Sequence, residues 1–145
     1  MKVKISKLLL AIALMALIVS CKKEDSVPDD ISPSDVAETL VSGEWVITYF
    51  FDSDQEETSH FNGYVFQFAE SGTLTATKGM TTVTGTWSSG NDDGQAKIYI
   101  SFSTPEDFEE LSDDWYVLER TNSKIRLEDV SGGNGGTDLL TFEKN

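Results

Sequence analysis

The chain has 145 residues, 11 Lys+Arg against 25 Asp+Glu, and a formal net charge of −14. That balance argues against a nucleic-acid partner, whose phosphates need a basic face, and against electrostatic docking on anionic lipid. A single cysteine excludes an intramolecular disulfide, and a single histidine supplies at most one imidazole to a metal.

The chain opens with Lys2, Lys4 and Lys7 and no acid, then runs through 12 apolar residues from Leu8 to Val19. A basic start, a short apolar run and a small residue at its end describe a secretory signal peptide. The run is shorter than the ~20 residues of a membrane span. Ile18-Val19-Ser20-Cys21 resembles the bacterial lipobox. The resemblance implies cleavage before Cys21, a diacylglyceryl group on its sulfur and a further acyl chain, such as palmitate, on its amine. Two or more chains hold a protein to a membrane, each buried methylene contributing ~0.8 kcal/mol. Lys22-Lys23-Glu24-Asp25 resembles the export signal of Bacteroidota lipoproteins. That implies a lipid anchor in the outer membrane facing the cell surface; a plain charged linker, and a periplasm-facing protein, is the alternative. The chain therefore divides into a signal peptide (1–20), a lipidated cysteine with a flexible linker (21–34) and one domain (35–145). Removing residues 1–20 takes three lysines and no acid, leaving 8 basic and 25 acidic residues, a net −17.

Pro33 to Val41 reads as a short helix capped by Ser34 or Asp35 and ended by Gly43. From Trp45 the apolar period becomes two. Strand-like runs centre on Trp45–Phe51, Tyr64–Phe68, Leu74–Ala76, Val83–Trp87, Ala96–Phe102, Trp115–Val117, Ile125–Leu127 and Leu140–Phe142. Turn residues separate them: Ser71-Gly72, Lys78-Gly79, Asn91 to Gly94, Asn122-Ser123 and Gly132 to Gly136. Eight short strands with tight turns predict an all-β fold, an antiparallel up-and-down barrel with one or two short helices. The second helix starts at Thr104-Pro105-Glu106-Asp107 and is pinned by Phe108 and Leu111.

Gly43-Glu44-Trp45, opening the first strand after a short helix, resembles the Gly-x-Trp signature of lipocalins, and Gly85-Thr86-Trp87 repeats it. The likeness runs from about Leu40 to Asn145 and is nearest to the lipocalin-like domains of small Bacteroidota lipoproteins. It implies that Trp45 plugs one barrel end with a late arginine packed over it. Arg120 and Arg126 are the only arginines. The lipocalin disulfide is missing.

The inward set would be Trp45, Tyr49, Phe51, Tyr64, Phe66, Phe68, Trp87, Phe102 and Trp115. An eight-stranded barrel either fills itself or holds one small ligand. The leading expectation, resting on the family resemblance, is a small hydrophobic ligand or envelope component in a pocket near Tyr49, Tyr64, Phe66 and Trp115. The alternative is a filled barrel that meets another surface protein. No enzyme is expected. His60 lies in a polar loop without an elbow motif, and Glu109-Glu110 and Asp113-Asp114 read as solvated pairs. No cofactor or metal is expected: Asp52 to Gly63 begins like a calcium loop but lacks its glycine and its final glutamate.

Overall fold

The computed structural model describes residues 31–130 and 136–145. The signal peptide, Cys21, the export signal and most of the Gly132–Gly136 turn lie outside the described residues.

Helix α1 spans Pro33–Val41. Its cap is Ser32, not Ser34 or Asp35: Ser32 Oγ accepts from the Asp35 N–H at 3.2 Å. Pro33 explains the shift, because a residue without an N–H fits the first helical position. Val36 and Leu40 are fully buried and seat the helix on the core.

Nine strands follow: β1 Glu44–Asp52, β2 Gln55–Glu56, β3 Val65–Phe68, β4 Thr73–Lys78, β5 Thr81–Asp92, β6 Gln95–Ser101, β7 Asp114–Arg120, β8 Lys124–Val130 and β9 Thr137–Lys144. The sheet order is β2-β1-β3-β4-β5-β6-β7-β8-β9, and β9 pairs back to β1. Eight strands thus close an antiparallel up-and-down barrel, each predicted run occupying one of them. Closure leaves no long open edge. The ninth strand, β2, is a two-residue partner for the end of β1. Helix α2, Glu106–Glu109, joins β6 to β7, with Pro105 at its cap.

Two departures from the predicted pattern lie in and after β1. Ile47 pairs with Phe142 and Tyr49 with Thr141, so Thr48 is an extra residue, a β-bulge. Side chains alternate with a period of two, so one extra residue reverses every position beyond it. Phe50 turns inward, fully buried, and Tyr49 turns outward, 39% exposed. The predicted inward positions of Tyr49 and Phe51 are corrected accordingly. The second departure is the β1–β2 turn. Ser53 and Asp54 both take positive φ, 48° and 65°, as a two-residue hairpin turn requires. Neither is glycine, so the hairpin lacks the Asn-Gly or Asp-Gly pair that usually marks such a turn.

The core is aromatic from end to end. Call the end where β1 starts the lower end. There Trp45 is fully buried and its Nε1 donates to Leu40 O at 2.8 Å. That carbonyl belongs to the last turn of α1, where no intrahelical donor remains. Trp87 Nε1 donates to Ala69 O at 2.9 Å, and Trp115 Nε1 to Leu111 O at 3.0 Å. Each indole therefore fills core volume while tying the barrel wall to a helix or turn. Gly85, of the second Gly-x-Trp, is needed for close approach. A Cβ there would stand 2.4 Å from Ser101 O and 2.6 Å from the Phe102 ring.

Candidate functional site

The upper end is where a barrel of this type would admit a ligand, and here it is stoppered. β3 is short and pairs with β1 only at Glu44 and Trp45. The gap above is covered by the 3-10 turn Thr58–Phe61, held where Glu57 N donates to Phe50 O at 2.9 Å. Phe61, 1% exposed, sits edge-on to Phe50 (5.4 Å between ring centres), Phe66 (6.4 Å) and Phe108 (5.3 Å). Phe108 comes down from α2 and also meets Tyr64, Phe66 and Phe102. Trp115 lies against Phe50 at 6.4 Å. Such pairs contribute ~0.5–1.5 kcal/mol each beyond area burial.

Three of the four predicted pocket residues, Tyr64, Phe66 and Trp115, therefore enter this cluster and pack against its rings. Tyr49, the fourth, is on the outer wall because of the bulge. Phe61 was missed, since it lies in a polar segment with no periodicity.

The plug residues divide differently from the lipocalin resemblance. The cation over Trp45 is Lys144, with Nζ 5.6 Å from the ring centre, and not an arginine. Arg120 instead holds α1: Nη1 donates to Thr39 Oγ1 at 2.9 Å, and Nη2 lies 3.8 Å from Asp35 Oδ2. Arg126 is on the outer wall beside Glu119, 3.4 Å away and solvated. Gly43 admits the Lys144 stem, whose Cε would be 3.2 Å from an added Cβ.

A charged group on the outer wall, Lys97, is buried, at 4% exposed. It bonds Asp114, stands 3.2 Å from Asp92 Oδ2 and lies 3.9 Å over the Tyr116 ring. The hydrogen bond to Asp114 outweighs burial and holds its pKa above the usual lysine range. The same bond holds Asp114 below the usual carboxylate range. This clamp ties β5, β6 and β7 together on the outer wall. Sequence alternation placed Lys97 outside but gave no sign that it would be buried.

The upper rim is acidic. Burial pushes Asp113 and Asp138 up, and it pushes Glu110 up, helped by the nearby Glu57 charge. His60, expected as a solvated histidine of a polar loop, stands among these acids. Its Nδ1 is 3.7 Å from Asp107 Oδ1 and 4.0 Å from Glu110 Oε2. Glu57 and Glu110 are 53 positions apart in sequence, so only the fold unites them.

A groove of about 410 Å³ lies outside the wall at the lower end, between α1, the β3–β4 turn and β5. Ala37, Val41 and Trp87 give it apolar surface, and Glu38 and Glu70 line it. A second groove continues past Val41 along Gly43, Glu44 and Gln67. Neither includes a predicted pocket residue.

No family model matches the sequence, and no curated protein does. Among solved structures, a DUF4847 family protein from Bacteroides vulgatus is similar at a TM-score of 0.51 and 19% identity. The match covers 76% of this chain and 97% of that one. At this identity the likeness shows a shared barrel fold.

Proposed function

We propose that this chain is an outer-membrane lipoprotein whose filled barrel is a protein-interaction module, held at the surface by acylated Cys21. The observation that carries the reading is the stoppered interior. Phe61 and Phe108 occupy the space a small apolar ligand would enter, so binding falls to the outer surface. The groove beside α1 combines an apolar floor with Glu38 and Glu70. It suits a polypeptide segment that presents an apolar side chain beside a lysine or arginine. The lipobox supports the anchor, and Lys22-Lys23-Glu24-Asp25 supports outward export. A net charge of −17 after cleavage keeps such a domain soluble beside the membrane.

The test uses intact cells. A photo-reactive residue at exposed Glu38 is expected to give a covalent adduct with another polypeptide. The same probe at exposed Thr82, at the upper end, is expected to give none. Cys21→Ala should move the folded protein to the soluble fraction and abolish the adduct. Equal adducts from both positions, or none from Glu38, would contradict the interaction reading. A Cys21→Ala protein that stays with the membrane after losing its leader would contradict the anchor.

A further inference from the structure

We propose that Glu57, His60 and Glu110 form a binding site for one divalent transition-metal ion of the zinc class, which staples the two elements that stopper the barrel. One carboxylate oxygen from each glutamate and one ring nitrogen of His60 lie within 4.8 Å of one another.

Two features separate this group from an ordinary patch of surface carboxylates. The first is the imidazole. Carboxylates alone suit calcium or magnesium, whereas an imidazole among them favours zinc and its neighbours. The second is Glu110 Oε2. The atom itself is enclosed and accepts from no donor among the described residues, although the side chain as a whole is 31% exposed and lies against the like-charged Glu57 carboxylate. Buried polar atoms normally have partners. This one sits 4.0 Å from His60 Nδ1, too far for a hydrogen bond and close to the spacing of two ligands on one ion. Zinc at ~2.0–2.1 Å from each ligand in a tetrahedron spaces them by ~3.3 Å. For this pair the difference is under about 1 Å, and for the three ligand atoms together it is at most about 1.5 Å.

The supports of the ligands are rigid. His60 precedes buried Phe61, Glu110 lies between buried Phe108 and fully buried Leu111, and Glu57 follows the β1–β2 hairpin with its N–H bonded to Phe50 O. Ligands on anchored backbone need little ordering to bind. Two carboxylates and a neutral imidazole match the charge of a divalent ion. Asp107, 3.7 Å from His60 Nδ1, is placed to add a fourth ligand. The ion would bridge the 3-10 turn to the α2 segment.

The other acidic group on the rim, Asp113, Asp114 and Asp129, differs in that Asp114 is already bound to Lys97. It serves as the internal control.

The experiment is titration of the metal-free full-length protein with Zn²⁺, followed by calorimetry and thermal melting, with Co²⁺ as an optical probe. The expected result is one ion per chain, a raised melting midpoint and visible Co²⁺ bands of an N/O-ligated centre. His60→Ala and Glu110→Gln should each lower zinc affinity at least ten- to a hundred-fold, the loss typical even of outer-shell changes, and His60→Ala should abolish the Co²⁺ bands. Both variants alter partly exposed side chains, and their metal-free melting midpoints report whether they fold. Asp113→Asn should bind zinc as the parent does. Absence of zinc binding, unchanged affinity in His60→Ala, or a loss confined to Asp113→Asn would each overturn the proposal.

Discussion

Trp45→Ala is expected to lower stability by ~3–5 kcal/mol, the range for emptying a buried tryptophan site. Three losses combine. The indole leaves a hole at the lower end, beside a helix that packs through Val36 and Leu40. The Leu40 carbonyl, in the last turn of α1, loses its donor. Lys144 loses the ring beneath it. A loss of this size is a large share of the ~5–15 kcal/mol that holds a domain together. Trp45→Phe separates the parts. It keeps much of the apolar volume and gives up the hydrogen bond, so its expected cost is smaller. Denaturant melts of the three proteins check the order. An unchanged midpoint in Trp45→Ala would mean that the residue is not the lower plug.

Phe108→Ala is expected to cost a similar ~3–5 kcal/mol. Helix α2 has four residues and cannot stand by its own hydrogen bonds. It is held by Phe108 against Phe61, Tyr64, Phe66 and Phe102, and by buried Leu111. Truncation leaves an apolar void behind the stopper. Voids of this kind stay dry and accept small apolar molecules. Benzene should therefore raise the melting midpoint of Phe108→Ala and leave the parent unchanged. Equal benzene stabilisation of both would show that the parent already holds a pocket.

These two residues also show how far the sequence carries. Trp45 was legible because Gly43 and Trp45 sit at the junction of two periods, a helix ending and a strand beginning. The eight strands were legible because closed walls demand strict alternation and glycine-marked turns. Phe108 was legible as a pin, but not as a stopper. Its partners Phe61 and Tyr64 lie more than 40 residues earlier in the chain. Tyr49 was misplaced for a local reason: one unpaired threonine reverses the face, and period counting cannot detect it. The β1–β2 hairpin was hidden because Ser53 and Asp54 adopt a glycine-like conformation. Lys97 and the group around His60 were illegible for a common reason. Burial of a charge depends on which strands and turns become neighbours, and pairing brings those together from distant positions. A cavity is likewise a property of ring packing rather than of composition. The same aromatic list was compatible with a pocket or a filled core, and the edge-to-face packing around Phe61 and Phe108 supports the filled-core proposal.

The most direct test is the mass of the full-length protein purified from its own membranes, taken natively and again after denaturation. The denatured mass should equal residues 21–145 plus acyl chains on Cys21. The native mass should exceed it by no more than a metal ion. A chain that keeps residues 1–20 and carries no acyl group would contradict the anchor. A retained organic molecule, lost on denaturation, would contradict the filled barrel and return binding to its interior.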